Sequence, residues 1–484
     1  MVYCNKKISK KIKLIIEVVK KFCLFLLIFC SYIQVNAMIT LPAIIGSHMV
    51  LQQNSTITIW GWCAPQEEVK IKTGWDTTTY TAIGDRNAKF SIKIQTPEAS
   101  GPFTISFDGW ENTIKLDDVL IGEVWLCGGQ SNMTFSANNG IKQAIDEAPN
   151  ANNTKIRFFY VNLSTSENIQ EDVQGHWVVC TPEEMKRFSA VGYFFGKEIQ
   201  EKLNVAVGLI NSNWGGTSAE VWTPANLVNN DSLLRQSEGK IWSSDIWWPT
   251  KPGVCYNAMI SPISNYNIAG TIWYQGESNT DAAFTYEKLF TTMIDAWRKA
   301  WKKDFPLYYV EIAPSAHYQG KYSGALLREA QVKCKIILKT GMIVISDLIN
   351  DINNIHPQNK KDVGLRLAKY ALAETYLKKG FEYKSPEYSK MVIEKNKIRI
   401  FFTDAGDNLV SKDGEPREFL IAASDKVFLP ATVKIEGNTV VVYNKNIQLP
   451  VAVRFAFDNT SIPNLFSKSG LPVNSFRTDN WPVQ

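Results

Sequence analysis

Between residues 116 and 380, short apolar runs of strand type alternate with longer segments whose apolar residues recur at helical spacing. The strand-type runs are Val205–Ile210, Gly270–Tyr274, Leu307–Ile312 and Met342–Ser346. Helices are predicted over residues 325–338 and 360–378, and along an apolar face formed by Tyr286, Phe290, Met293, Trp297 and Trp301. Strands that alternate with helices predict an α/β domain built on a mainly parallel sheet.

The segments on either side of this region have the two-residue alternation of β-sheet proteins. It is clear in Thr56–Trp62 and Glu68–Lys72 before the α/β region, and short strand-type runs such as Lys397–Phe402 and Thr439–Tyr443 follow it. We therefore predict four parts: a leader at 1–37, an N-terminal β-sandwich segment at 38–115, the α/β domain at 116–380 and a C-terminal β segment at 381–484.

The first 37 residues have the order of a secretory signal peptide. A lysine-rich segment precedes the apolar run Phe22–Cys30, and the small-residue site Val35-Asn36-Ala37 follows it. We expect cleavage after Ala37 and a secreted or periplasmic protein without a stable membrane span, because the run is too short to cross a bilayer comfortably. An uncleaved anchor is the alternative.

Charge and cysteine content narrow the class of protein. The chain of 484 residues has a formal net charge of +5, and the leader alone contributes +6, which leaves −1 for the remainder. A net charge of −1 gives no indication of the basic surface that nucleic-acid binding requires. Five widely spaced cysteines remain and the four histidines form no metal-ligand pattern, so we expect no disulfide scaffold, no metal and no cofactor.

The stretch Val124–Met133 is the first candidate for chemistry. A strand-type run ends in Gly128 and Gly129, and Ser131 follows. Glycine permits a sharp turn that would leave the serine hydroxyl free at the carboxyl end of the strand. The stretch does not match the G-x-S-x-G elbow, and Ser131 as an ordinary helix N-cap is the alternative interpretation.

Three further polar segments follow predicted strands of the same region. They are residues 211–217, with two consecutive glycines, residues 275–279, which begin with Gln275, and the loop that contains His356. Because ligands collect at the carboxyl edge of an open α/β sheet, we expect these segments to converge on Ser131. Acyl transfer needs a nucleophile, a base and donors for an oxyanion, and this set contains each of them.

These segments together resemble the sialate O-acetylesterase family, a branch of the SGNH-hydrolase superfamily with a flavodoxin-like α/β fold. The matching blocks are Gly-Gln-Ser-Asn-Met at 129–133, Asn-Trp-Gly-Gly-Thr at 213–217, Trp-Tyr-Gln-Gly-Glu-Ser-Asn at 273–279 and Ile-His-Pro-x-Asn-Lys at 355–360. The resemblance covers nearly the whole chain after the leader. It implies a serine esterase that removes O-acetyl groups from a sugar. The expected substrate is 9-O-acetylated sialic acid, and acetylxylan or another glycan is the alternative.

The resemblance also implies roles for individual residues. Ser131 is the expected nucleophile and His356 the general base. The backbone N–H groups of Ser131 and Gly216, with the Gln275 amide, would form the oxyanion hole, although Gln275 can instead be a structural amide. Glu277 is expected to order its loop through a buried hydrogen bond.

Two residues are candidates for contact with substrate. Arg328 matches a family position near the site and would pair with a substrate carboxylate, or else form an ion pair on a helix surface. Trp214 would stack on a sugar ring, or else fill the core. The expected partner is an acetylated sugar.

The third member of the catalytic triad is where the sequence departs from the family pattern. Many relatives have an aspartate two or three residues before the histidine, whereas Asn353 and Asn354 occupy these positions here. The imidazole Nδ1–H must still be held, because the tautomer decides whether Nε2 can accept a proton. We predict a Ser131–His356 dyad, with Asp351 as the next candidate for a triad acid and Asp347 after it.

Two other classes of function compete with the esterase. A glycosidase would use two carboxylates such as Glu277 and Asp347, but it leaves Ser131 and His356 without a role. A non-catalytic sugar-binding protein built on the β segments would not require the pairing of a serine with a histidine.

Overall fold

The computed structural model describes residues 11–22, 38–237, 239–240 and 247–483. Residues 11–22 form helix α1, whereas residues 23–30 of the apolar run and the expected cleavage site at Ala37 lie outside the described residues. None of the helices in the described ranges has both the length and the apolar character needed to span a membrane.

The N-terminal segment is built from short strands that lead into the longest strand of the protein. These strands are β1 (Val50–Gln52), β2 (Thr56–Trp62), β3 (Glu68–Thr73), β4 (Thr79–Ile83), β5 (Lys89–Gln95), β6 (Ser100–Asp108) and β7 (Thr113–Gly129). β2 pairs with β5, while β3 pairs with β4 and β6 in the same sheet as β7. The boundary predicted after residue 115 falls inside β7, because this strand of 17 residues belongs to both the antiparallel and the parallel parts of that sheet.

The central sheet is parallel, as predicted, except for one antiparallel strand at its edge. It contains β7 with β8 (Asn153–Val161), β9 (Gly175–Cys180), β10 (Ala206–Asn213), β11 (Gly270–Tyr274), β12 (Leu307–Val310) and β13 (Thr340–Ile343). The order is β13-β12-β11-β7-β10-β8-β9, and only β9 runs antiparallel to its neighbour. β7 therefore lies between β10 and β11, and the carboxyl ends of these three strands are adjacent.

Helices cover both faces of this sheet. They are α2 (Ser131–Thr134), α3 (Lys142–Glu147), α4 (Pro182–Arg187), α5 (Ala190–Leu203), α6 (Ala225–Asn229), α7 (Ala283–Trp301), α8 (Ser323–Lys333) and α9 (Lys360–Glu374). Short 3₁₀ turns lie at Ala137–Asn139, Ala148–Asn150, Ala219–Trp222, Leu234–Ser237, Ser261–Ile263, Glu277–Ala282 and Cys334–Ile336, and a π turn at Tyr256–Ile260. Successive residues of β7 pack into the two opposite hydrophobic clusters, as a strand buried on both faces requires.

The predicted helices are present, with shifts at their ends. The aromatic face of α7 is buried as expected. α8 ends at Lys333 and continues only as a 3₁₀ turn, whereas the prediction extended to residue 338. α9 ends at Glu374 rather than at residue 378, and the chain turns at Leu377, which has a left-handed φ of 56°.

The C-terminal region is a β-sandwich. Its strands are β14 (Glu387–Glu394), β15 (Lys397–Thr403), β16 (Leu409–Ser411), β17 (Phe419–Ala422), β18 (Leu429–Pro430), β19 (Thr432–Glu436), β20 (Thr439–Tyr443), β21 (Ala452–Phe455), β22 (Leu465–Ser467) and β23 (Phe476–Arg477). Two four-stranded antiparallel sheets, β14-β15-β20-β19 and β18-β17-β21-β23, contribute to one shared hydrophobic cluster. A bidentate pair between Arg477 and Glu329 of α8 links the sandwich to the α/β domain, with distances of 2.8 and 2.9 Å.

Candidate active site

The turn between β7 and α2 presents Ser131 at the carboxyl edge of the sheet. Gly129 has a φ of 136°, and a Cβ at this position would collide with the carbonyl oxygen of Tyr274 on β11. Gln130 is extended, and its N–H donates to the same Tyr274 carbonyl at 3.0 Å. Ser131 is then the first residue of α2. Backbone contacts between β7 and β11 therefore help to hold the serine in place.

His356 lies beside this serine, in the loop that precedes α9. Its Nε2 is 2.9 Å from Ser131 Oγ. Phe135, one helical turn after Ser131, stacks on the imidazole with ring centroids 4.3 Å apart and planes inclined by 23°. The loop is held by Asn354 Oδ1, which accepts the His356 backbone N–H at 2.9 Å. The arrangement can pass a proton from the serine to the imidazole.

The imidazole is electrostatically suited to act as a base. Burial lowers the pKa of His356 to about 4, and the neighbouring Lys360 and His317 side chains act in the same direction. His356 is therefore neutral at physiological pH, and in the tautomer with its proton on Nδ1 the nitrogen that faces Ser131 has a free lone pair.

Two glycines after β10 lie beside Ser131 in the site. A Cβ added to Gly215 would lie 3.4 Å from Ser131 Cβ, so this backbone passes directly beside the serine. Gly216 has a φ of 79°, and the Trp248 ring occupies the space where its side chain would be. The N–H groups of Ser131 and Gly216 have no hydrogen-bond partner within the part of the chain that the structure describes. Both donors are thus available for an oxyanion.

The Gln275 side-chain amide, in contrast, already has hydrogen-bond partners within the protein. Its Nε2 donates to Asn279 Oδ1 at 2.7 Å and to Thr217 O at 3.3 Å, and its Oε1 accepts from Tyr286 Oη at 3.0 Å. Gln275 is also completely buried. The structure therefore gives this residue the structural role rather than that of an oxyanion donor, because both of its N–H bonds are occupied.

No candidate triad acid reaches the imidazole. Asp351 is exposed, and its Oδ1 accepts the Asn353 N–H at 2.9 Å in a tight turn. Asp347 forms a bidentate pair with Arg366 at 2.7 and 2.6 Å. The only histidine–carboxylate pair in the described ranges is at His48, remote in sequence from the site. We therefore set aside Asp351 and Asp347 as partners of His356.

The two candidate substrate contacts differ in their surroundings. Arg328 is only 1% exposed, and its guanidinium donates to Asp458 O and, at 3.4 Å, to Ser475 Oγ in the C-terminal region. It is therefore neither a substrate ligand nor a surface ion pair, because the C-terminal sandwich packs over this side of α8. Trp214 is partly buried next to Gly215, and its Nε1 donates to Trp247 O at 2.8 Å.

Glu277 is buried and forms the internal hydrogen bond that its sequence position predicts. It is 1% exposed and accepts a hydrogen bond from Asn132. Since Asp347 is paired with Arg366, the two carboxylates of the glycosidase alternative are each engaged within the protein.

Two aromatic residues of the site were not singled out from the sequence. Phe135 stacks on the base and Trp248 covers Gly216. Phe135 follows Ser131 by four residues, so a helix starting at the serine would have predicted that the two side chains share one face. For Trp248 the sequence offers no comparable signal, because its approach to Gly216 depends on the path of a long loop.

Comparisons with known proteins agree with this geometry. The sequence model of a family described as "carbohydrate esterase, sialic acid-specific acetylesterase" matches residues 121–373. A sialate O-acetylesterase of Mus musculus is 27% identical over 85% of this chain and 88% of its own length. That of Homo sapiens is 28% identical over 71% of this chain and 72% of its own length.

A solved structure gives the same result. A carbohydrate acetylesterase from Xanthomonas citri is 32% identical, superposes with a TM-score of 0.84, and is matched over 92% of this chain and 100% of its own. The similarity to this esterase therefore extends over the α/β domain and both flanking β regions. The chain belongs to the sialic acid-specific acetylesterase family of carbohydrate esterases, and it is a carboxylic ester hydrolase that acts on carbohydrate O-acetyl esters.

Proposed function

We propose that the protein hydrolyses these esters through an acetyl-enzyme formed on Ser131, with His356 as the only side-chain base. The observation that carries this proposal is the 2.9 Å contact between Ser131 Oγ and His356 Nε2. The N–H groups of Ser131 and Gly216, which have no hydrogen-bond partner among the described residues, support it. A Ser131–His356 dyad is proposed, since no carboxylate of the described residues pairs with this histidine.

The reaction would proceed in two steps. Ser131 Oγ attacks the acetyl carbonyl while His356 Nε2 takes its proton, and the oxyanion accepts hydrogen bonds from Ser131 and Gly216. Collapse breaks the bond to the sugar oxygen, which takes the proton from the imidazolium. Water, deprotonated by His356, then attacks the acetyl group, releases acetate and restores the serine hydroxyl. The Phe135 ring face, stacked on the imidazole, can stabilise its positive charge in place of a carboxylate.

We further propose 9-O-acetylated sialic acid as the substrate. Support comes from the family description and from the names of the mammalian relatives. The test compares acetate release from 9-O-acetyl-N-acetylneuraminic acid and from acetylated xylo-oligosaccharides, with Ser131→Ala as the blank. We expect the higher kcat/KM on the sialic acid. Rapid release from the xylo-oligosaccharides alone would instead support the acetylxylan alternative.

The pH dependence of the reaction provides a second prediction. Only the neutral imidazole can accept the serine proton, so kcat/KM falls as the pH drops through the pKa of His356. Because burial lowers this pKa to about 4, we expect the acid limb to have its midpoint near this value. The measurement uses a neutral aryl acetate, and recovery of activity after return to neutral pH controls for unfolding. A midpoint near the ordinary histidine value of about 6.5 would show that His356 is not shielded from solvent.

A further inference from the structure

A buried cluster of opposite charges lies directly behind the Ser131–His356 pair. It consists of Lys360, Asn132 and Glu277, each at most 1% exposed, and is called the Lys360 cluster here. Lys360 Nζ donates to Asn132 Oδ1 at 2.5 Å, and Asn132 Nδ2 donates to Glu277 Oε1 at 2.5 Å. A neutral amide therefore bridges an ammonium group and a carboxylate.

The amide also connects the two halves of the catalytic pair. Asn132 directly follows Ser131, and its Nδ2 makes a second hydrogen bond, of 3.1 Å, to the carbonyl oxygen of Ile355. Ile355 directly precedes His356. The Asn132 side chain is thus a short link between the turn that carries the serine and the loop that carries the histidine.

The chemistry of the two outer groups determines the orientation of this link. A lysine ammonium has only donors and a carboxylate has only acceptors. The Asn132 amide must therefore direct its oxygen to Lys360 and its nitrogen to Glu277. In this orientation the same nitrogen reaches Ile355 O, whereas a flipped amide would present an oxygen to that carbonyl.

Lysine is an unfavourable residue at this position for stability alone. Lys360 is the first residue of α9, where the helix dipole opposes a positive charge, and its ammonium is removed from water. Burial lowers the pKa of Lys360 to about 7, against the influence of Glu277. Replacement of a buried ion pair by apolar residues is often neutral or stabilising. Because a lysine at this position carries these costs in stability, we infer that it has a role in the site rather than in the fold.

We propose that Lys360 is a positioning residue of the esterase, which holds the Asn132 amide in the orientation that keeps Ser131 in register with His356. This inference rests on the proposed roles of Ser131 and His356. Lys360 does not touch the reacting atoms: it positions Ser131 through Asn132, and its charge also acts on the imidazole.

The charge of Lys360 supplies a readout that a purely structural residue would lack. The titratable groups that act on the imidazole are Lys360 on α9 and His317 from the loop after β12, and the Glu277 carboxylate after β11 acts in turn on Lys360. Lys360 and His317 both lower the pKa of His356. Removal of the Lys360 charge should therefore raise this pKa and move the acid limb of kcat/KM to higher pH.

Lys360→Met tests the inference, with Lys361→Met as the matched control. Lys361 is adjacent and exposed, so its replacement makes the same change of charge without touching the cluster. For Lys360→Met we expect a loss on the order of 10² in kcat on an aryl acetate, as for a small misplacement of reacting groups, with little change in KM. The acid limb should shift upward in Lys360→Met and stay in place in Lys361→Met.

Lys360→Gln separates the hydrogen bond from the charge. A glutamine amide can still donate to Asn132 but carries no charge, so we expect partial recovery of kcat with the same upward shift of the acid limb. Wild-type kcat and acid limb in folded Lys360→Met would overturn the inference. Loss of the folded state in both variants, measured by circular dichroism, would assign Lys360 to the fold and overturn it too. Activity retained by Ser131→Ala, in contrast, would reject the proposed function itself.

Discussion

Replacement of Ser131 by alanine should abolish acetate release while the protein remains folded. The serine hydroxyl contacts His356 Nε2, and the N–H group of the same residue has no hydrogen-bond partner among the described residues. Removal of Oγ eliminates the acetyl-enzyme route, and the equivalent change in a serine protease costs on the order of 10⁶ in kcat. Acetate release is measured on an aryl acetate and on an acetylated sugar, with circular dichroism to confirm folding.

Ser278→Ala is the matched control for this experiment. Ser278 belongs to another block of the site, and its Oγ donates to Gly216 O at 3.0 Å instead of contacting His356. We expect this variant to remain far more active than Ser131→Ala, because Ser131 and His356 are unchanged and only one hydrogen bond to the Gly216 carbonyl is lost. A folded Ser131→Ala protein with more than a few per cent of wild-type activity would show that another group is the nucleophile.

The convergence of the site could be predicted from the sequence because it follows from the order of strands. Ser131, Gly216 and Gln275 each follow an apolar run of strand type, and parallel strands place their carboxyl ends at one edge. In the structure the three runs are β7, β10 and β11, which are direct neighbours. The prediction needed only element types and their direction, which local patterns of apolar residues specify.

The roles of individual polar side chains could not be predicted in this way. Arg328 is buried because the C-terminal sandwich packs over α8. The sequence of α8 alone does not predict that contact. The Gln275 amide is occupied by Asn279 and Thr217, which come from two different loops. Asp351 bonds to its own turn at Asn353. Arg328 and Gln275 have partners in distant segments, whereas Asp351 is held within its own turn. The local pattern of apolar residues specifies none of these partners.

His356→Gln is expected to be nearly as damaging as Ser131→Ala. Glutamine retains a polar side chain of similar reach, but it cannot accept the serine proton at any pH of the assay. In a serine protease, loss of the histidine costs on the order of 10⁶ in kcat, about as much as loss of the serine. His317→Gln is the matched control, since His317 is exposed and bonds to Asn353 O at 2.6 Å. We expect that variant to retain most of its activity.

Asp351→Asn tests whether Asp351 supplies the triad carboxylate that His356 lacks in the structure. Loss of a true triad aspartate costs on the order of 10⁴ in kcat in serine proteases. Because Asp351 does not contact His356, we expect its replacement to leave kcat close to wild type. A loss near the triad value would show that the loop rearranges to bring Asp351 to the imidazole when substrate binds.

The double variant Ser131→Ala/His356→Gln tests whether the two residues work as one unit. If His356 acts only by taking the proton of Ser131, its replacement has nothing further to remove once the hydroxyl is gone. The double variant should then be about as active as either single variant, as in a protease whose catalytic residues were removed together. Independent roles would instead make the two losses multiply. Multiplied losses would show that Ser131 and His356 contribute independently to catalysis, which would contradict the dyad.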